Sequence, residues 1–412
     1  MSAMDIDSDV STVLATIRLE LDQSELVSIF YRLEDYYERK LWHQLTQVLD
    51  ELYFENPEFI TFELKNKVYS LFISQFQTKL NPIKIIDFLL ESYEPNEILT
   101  RLQDLRAQFV NSLQKEHNFK DAQDPEFLKI VQDDEALIYV DLQIARYDLI
   151  LKKIDEAEQI LKQLEKAKFQ ELNNDLNPRI NAAYYLAKCE LYKLQENYNE
   201  FYKNGLLYLS STTSLNDKEE KVKLCYELCI AALLGDSVYN FGELILHDIL
   251  KVIATPDLQY NWLYHLVQNL NSGNLQEFNK WLTVAFEKSP FLKHQEQFLN
   301  QKIRIMALLE LISVKSSSSA MDKTLTFDEI CKFTGTNKKD VELLMIKCFS
   351  LKLIRGYIDQ VEETLTVTWL QPRILNLDQV KTLYNHLTQW DKRVDLLAKT
   401  VYESGGTIWA GV

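Results

Sequence analysis

The sequence predicts a mainly α-helical chain: a solenoid of helical hairpins, then a winged-helix subdomain, then one long terminal helix. Three observations carry this. Amphipathic segments recur in pairs with breaks about 37 to 43 residues apart, close to the period of helical-repeat solenoids such as tetratricopeptide arrays. Backbone punctuators are scarce, with only 9 Gly and 8 Pro in 412 residues, too few for the many tight turns of an all-β fold. And the hydrophobic period changes late in the chain, from helical to strand-like and then to an unbroken heptad.

The hairpins are clearest in the middle. Asp134–Leu151 pairs with Asp155–Phe169 across Lys152-Lys153, and Ile180–Leu194 pairs with Tyr198–Leu209 across Gln195-Glu196-Asn197. Further breaks fall at Gly235-Asp236 and at Ser272-Gly273-Asn274, the latter before Leu275–Phe286. Ala157, Ile160, Leu161 and Leu164 show the helical spacing. One hairpin cannot bury such a stripe alone, so the pairs must stack. The earlier segments Leu26–Glu38, Leu41–Tyr53, Phe59–Phe76, Ile83–Tyr93 and Ile98–Leu113 read the same way, less regularly. Pro57, Pro82, Pro95 and Pro125 sit at expected boundaries, where a helix start tolerates proline. Trp42, Trp262 and Trp281 fall inside these segments and are read as core residues.

A long helix, Phe291–Val314, runs into Ser316-Ser-Ser-Ser-Ala320, a flexible joint by composition. Phe327–Phe333 is then a short helix ended by Gly335. Asn337 is placed to cap the next helix, whose buried stripe is Val341, Leu344, Met345, Cys348 and Leu351. Leu353–Ile358 and Thr364–Trp369 read as two strands around a polar Asp359–Glu363 loop. Helix, helix, hairpin is a winged-helix pattern. In the last segment Val380, Leu383, Leu387, Trp390, Val394, Leu397 and Val401 alternate spacings of three and four. That pattern specifies a narrow seam for another helix. The template does not choose between a partner and the chain's own body; the length, roughly 40 Å at about 1.5 Å per residue, favours an intermolecular bundle.

Charge and motifs exclude several classes. Lys and Arg total 45 against 61 Asp and Glu, a net charge of −16, which disfavours a nucleic-acid clamp. Within residues 322–371 seven basic residues (Lys323, Lys332, Lys338, Lys339, Lys347, Lys352, Arg355) meet eight acidic ones, and the wing itself is acidic. Lys338, Lys339 and Lys347 form a modest patch, read as a solvated helix face or a protein contact. A metal-dependent deubiquitinase needs a His-x-His pair with a downstream Asp. Here His43, His117, His247, His265, His294 and His386 stand apart in sequence, and no phosphate-binding or dinucleotide glycine loop occurs. Cys225 and Cys229, four apart on one helix face, could share a metal but read as small buried hydrophobes. Five Cys without framework spacing fit free thiols in a reducing compartment. The short acidic N-terminus lacks a secretory pattern and no run of 18 apolar residues follows. The expectation is therefore a soluble, non-enzymatic protein without metal or cofactor.

Leu353-Ile-Arg-Gly-Tyr-Ile-Asp-Gln360, in the setting of solenoid, winged helix and terminal helix, resembles the strand signature of PCI-domain proteins. Glu38–Leu45, Ala231–Leu244, Tyr260–Leu263, Ile358–Val361 with Trp369–Arg373, and Gly406–Trp409 are similar to stretches of PCI-domain lid subunits of the proteasome regulatory particle. The resemblance spans nearly the whole chain, least in the first 20 residues and at Ser316–Ser319. It implies a non-catalytic scaffold, cytoplasmic and nuclear, built into the lid beside other PCI subunits and near the ubiquitin-receptor subunit, with no nucleic-acid or membrane partner. The implied domains are a disordered N-terminus at 1–10, repeats at 11–199, the helical part of the PCI domain at 200–315, its winged helix at 322–371, a bundle helix at 376–403 and a tail at 404–412. Implied partner-binding residues are Leu353, Ile354, Arg355, Tyr357, Ile358, Asp359, Gln360, Val367 and Trp369 on the strands, and Val380, Leu383, Leu387, Trp390, Val394, Leu397 and Val401 on the seam. The same layout fits PCI subunits of the COP9 signalosome or of translation initiation factor three, and an mRNA-export adaptor is a remoter alternative.

Overall fold

Pro82, Pro95 and Pro125 stand at helix starts, as the sequence leads one to expect, in the computed structural model. It describes residues 12–19, 24–55, 60–117, 119, 124–169, 176–212, 218–254, 259–318, 324–374 and 377–403. The expected disordered N-terminus, the tail after 403 and Pro57 lie outside them. The helices are α1 (residues 12–19), α2 (Ser24–Glu38), α3 (Trp42–Asp50), α4 (Phe62–Val68), α5 (Pro82–Ser92), α6 (Pro95–Glu116), α7 (Pro125–Asp133), α8 (Glu135–Ile150), α9 (Ile154–Leu164), α10 (Pro178–Leu194), α11 (Tyr198–Ser211), α12 (Lys218–Leu234), α13 (Gly242–Leu246), α14 (Asp248–Ile253), α15 (Asn261–Ser272), α16 (Leu275–Lys288) and α17 (Glu296–Ser318). Pro82, Pro95, Pro125 and Pro178 each occupy the first turn, where the missing N–H costs nothing. The side chains of Asn81, Asp134, Asn177 and Asn274 accept hydrogen bonds from Ile83 N (3.0 Å), Leu137 N (2.9 Å), Arg179 N (3.1 Å) and Glu277 N (3.3 Å).

The scarcity of glycine has a structural counterpart. Lys40, Lys152, Glu196 and Lys352 follow helix ends in the left-handed conformation (φ 56°, 63°, 55° and 58°), where glycine is usual. At Lys152 the paired bonds Lys152 N→Leu149 O (3.0 Å) and Lys153 N→Asp148 O (2.8 Å) satisfy the last carbonyls, and the same pair forms at Lys40 and at Lys352. Each costs about 1 kcal/mol of backbone strain, which the reclosed helix end offsets.

The chain divides into two compact units: residues 1–195 with 207–212, and residues 196–206 with 213–412. In the first, α8 is the hub. Leu137, Ile138, Tyr139, Val140, Leu142, Ile144, Ala145 and Leu149 are all buried, so the helix is apolar nearly all round, as a central helix must be. Polar pairs then fix its neighbours. Arg106 binds Asp141 (2.5 Å), Arg146 binds Glu190 (3.0 Å), and Asp87 accepts from the Tyr139 hydroxyl (2.6 Å) and from Arg179. Burial pushes the Asp87 carboxyl up, and its hydrogen bond from Tyr139 opposes this. Trp262, in the second unit, is buried as expected, whereas Trp42 and Trp281 are half-buried and pack by ring stacking on Phe76 and His265.

In the second unit α17 is the hub, with Leu299, Ile303, Met306, Leu308, Leu309 and Ile312 buried. Composition predicts that it stops before a serine joint; instead the helix runs on through Ser318. Once a helix is nucleated each added residue costs little, so serine does not end it. The rest of the joint lies outside the described residues. Buried within this unit, Lys302 extends its ammonium to the end of α12, donating to Ala232 O (2.7 Å), Leu233 O (3.2 Å) and Gly235 O (2.6 Å). The rings of Tyr239, Phe241 and Phe298 wall it in. Three orphan carbonyls at a helix C-terminus are thus satisfied by one cation, which the helix dipole favours.

Burial pushes the Lys302 ammonium down to about 7, with Asp236 opposing the shift. Between that value and the ordinary lysine range the unfolded chain holds a proton the folded chain lacks, so folding is favoured as pH rises. Stability relative to Lys302→Met should therefore increase from pH 7 toward pH 10 by up to about 1.4 kcal/mol per pH unit and stay flat below pH 6. Urea denaturation at stepped pH measures it; a difference that does not change with pH would show an undepressed ammonium.

Candidate functional site

β1 (Thr324–Thr326), α18 (Phe327–Thr334), α19 (Lys338–Ser350), β2 (Ile354–Asp359) and β3 (Thr364–Leu370) form the winged helix. α18 starts with a reciprocal cap: Thr326 Oγ1 accepts from Glu329 N (3.3 Å) while the Glu329 carboxylate accepts from Thr326 N (3.2 Å). Lys315 from α17 binds the same carboxylate (2.9 Å) and, with the backbone bond, holds it below its ordinary range. Gly335 ends α18 in the left-handed conformation. Asn337 occupies the cap position of α19, but its side chain makes no capping bond there. Val341, Leu344, Met345 and Cys348 are buried, as their spacing predicts, and burial pushes the Cys348 thiol up to about 12.

The sheet corrects the sequence reading in one respect. β1 is a third strand, and the order is β1-β3-β2, all antiparallel. β3 is therefore the middle strand, but β1 covers only Thr364–Thr366 on the side away from β2; among the described residues β2 has no strand partner on its other side, nor has the three-residue β1. β3 carries a bulge at Thr368, which stands unmatched opposite Arg355 and Gly356, and its hydroxyl donates to Arg355 O (3.0 Å). Gly356 crosses so closely over β3 that a Cβ would lie 2.1 Å from Thr366 O. Only glycine fits there.

The expected strand residues divide by face. Leu353, Ile354 and Val367 point into the core, and Ile358 is half-buried. Arg355, Tyr357 and Trp369 are exposed on the other face, with the Arg355 guanidinium 4.8 Å from the Trp369 ring centre. Arginine over tryptophan beside a tyrosine is the composition that dominates binding energy at protein interfaces. Asp359 Oδ1 accepts from Val361 N (3.0 Å) and Glu362 N (3.1 Å) and so shapes the wing, while Gln360 reaches Glu342 (3.3 Å). Lys338 is taken up by Glu363 and Asp328. The wing tip thus presents carboxylates, which repel phosphate.

The terminal helix α20 (Leu377–Glu403) carries the heptad. All seven seam residues are exposed, from 42% at Val394 to 66% at Trp390, and Tyr384 widens the stripe. A Val, Leu or Trp side chain gains roughly 1.5–3 kcal/mol on full burial, so the seam holds roughly 10 kcal/mol of unused hydrophobic driving force.

Elsewhere, a groove of about 440 Å³ between α17, β1 and α18 is lined by Leu311, Val314, Leu325 and Phe333, with its Lys315 and Glu329 paired to each other. Cys225 and Cys229 are fully buried, and the bond from Cys225 together with burial raises the Cys229 thiol well above its ordinary range. Among the described residues no group of three or more His, Cys, Asp or Glu is placed to hold a metal, and no helix is long and apolar enough to cross a membrane.

Helical hairpins feeding a winged helix with an open sheet edge, followed by an exposed seam helix, define an assembly module of the PCI class. The PCI domain model matches residues 279–369, and the model of the PSD13 N-terminal repeats matches residues 29–267. The chain is 34% identical to the 26S proteasome regulatory subunit RPN9 of Saccharomyces cerevisiae, covering 97% of this chain and 98% of that one. It is 35% identical to the probable 26S proteasome regulatory subunit rpn9 of Schizosaccharomyces pombe, over 90% and 91%. The eukaryotic translation initiation factor 3 subunit M of Nematostella vectensis is 22% identical over only 36% of this chain and 37% of its own. The chain belongs to the PSD13/RPN9 family of PCI-domain proteins.

Gly356→Ala tests the strand crossing. It should destabilise the winged helix by about 2–3 kcal/mol, since backbone rather than a movable side chain blocks the added methyl; native-state hydrogen exchange of the β2 and β3 amides measures it, and unchanged protection would contradict the close approach.

Proposed function

We propose that the chain is a scaffold subunit of the lid of the proteasome regulatory particle, acting in cytoplasm and nucleus by assembly rather than by chemistry of its own. The observation that carries the reading is the exposed seam of α20. Its regular apolar stripe has the form of one strand of a helical bundle whose other strands belong to other PCI subunits. The β2 edge, with Arg355, Tyr357 and Trp369 beside it, would add to a neighbour's winged helix through backbone pairing. The repeats before it would offer concave surface to other partners, the ubiquitin-receptor subunit among them. Support comes also from the full-length likeness to relatives named as 26S proteasome regulatory subunits, against the partial likeness to an initiation-factor subunit. The acidic wing and the net charge of −16 speak against a nucleic-acid adaptor.

Replacing Leu387, Trp390 and Val394 together by Asp should leave the melting curve and circular dichroism of the isolated chain unchanged, because all three side chains are exposed. The same variant should no longer co-purify with the other lid subunits. Normal incorporation would refute the bundle; co-purification of the unaltered chain with a signalosome or initiation factor instead would reassign the assembly.

A further inference from the structure

In winged helices that read DNA, the helix equivalent in position to α19 turns polar and basic side chains outward. Here its outward face is different. Leu343 and Ile346, one turn apart, are 66% and 49% exposed, on the side opposite the buried Val341, Leu344, Met345 and Cys348. Lys339 and Lys347 flank the pair on the same face, and Ser350 closes it. Lys338, at the start of the helix, is engaged by Glu363 and Asp328, whereas Lys339 and Lys347 have no ion pair among the described residues. Two free cations around an exposed aliphatic pair stand out on a chain of net charge −16. Asp340, at the margin of the face, is the acidic group nearest in sequence; Glu342 lies off to the side, bound by Gln360.

We propose that this face of α19 is a third docking surface, which receives an acidic amphipathic helix of a protein partner. The occupant's apolar residues, spaced three and four apart, would cover Leu343 and Ile346, and its carboxylates would flank them against Lys339 and Lys347. A nucleic acid fits less well. Phosphates satisfy the lysines but leave the aliphatic pair wet, and they would meet the carboxylates of the Asp359–Glu363 wing on the same subdomain. The surface is separate from the β2 edge and from the α20 seam.

The proposal rests on the scaffold reading only in that the partner is met within an assembly. The test uses the full chain carrying the photo-cross-linker p-benzoylphenylalanine in place of Leu343, assembled with its partner subunits, purified and irradiated. The expected product is a cross-link, mapped by mass spectrometry, to a segment of a partner with Asp or Glu within one turn of its apolar residues. Adding Lys339→Glu and Lys347→Glu should lower its yield about tenfold. Normal assembly with no cross-link, with a cross-link to a basic or uncharged segment, or with one to nucleic acid would overturn the proposal. Failure of the unsubstituted chain to assemble would count instead against the scaffold reading.

Discussion

A helix of 27 residues whose apolar stripe finds no cover among the described residues is the constraint on which the rest of this molecule depends. Hydrophobic surface in water is unfavourable in proportion to its area, and a stripe this regular is more than scattered surface leucines supply. The rest of the second unit is organised upstream of it. α17 is apolar nearly all round and carries the winged helix through Lys315 and through Glu310, which binds Arg373 just after β3 (3.1 Å). Lys302 closes the end of α12 against the same helix. A well-anchored platform therefore precedes a helix left uncovered, and that contrast is the physical content of an assembly role.

The side chains of the winged helix suit contact with protein better than contact with nucleic acid. The wing carries Asp359, Glu362 and Glu363; Lys338 is spent on internal pairs; Arg355 lies over Trp369; and the outward face of α19 is half aliphatic. Each feature lowers affinity for phosphate or raises the gain from burying apolar surface. Fold alone would not decide between the two uses; the side chains do.

Much of this was legible in sequence because the dominant signals are local. The α20 heptad could be read residue by residue, since a helix under no tertiary demand keeps an undistorted period. The hairpin boundaries followed from Pro82, Pro95 and Pro125 and from the polar breaks at Lys152-Lys153, Gln195-Glu196-Asn197 and Ser272-Gly273-Asn274. What escaped depends on distant partners. β1 is three residues long and is a strand only because β3 lies beside it, so the sequence shows a two-stranded hairpin where the sheet has three strands. Lys302 looks like any helical lysine, for its acceptors lie 67 to 70 residues earlier. The left-handed turns at Lys40, Lys152 and Glu196 carry charged residues where glycine or asparagine is the readable sign. The serine run suggested a joint by composition, but α17 carries its helix through Ser318.

Amide hydrogen exchange across residues 380–401 tests the central claim most directly, compared between the isolated chain and the assembled complex. If the seam is completed only by other subunits, these amides exchange quickly in the free chain, as expected of a helix without tertiary cover, and become strongly protected on assembly. Protection already complete in the free chain, and unchanged by assembly, would mean that the helix needs no companions.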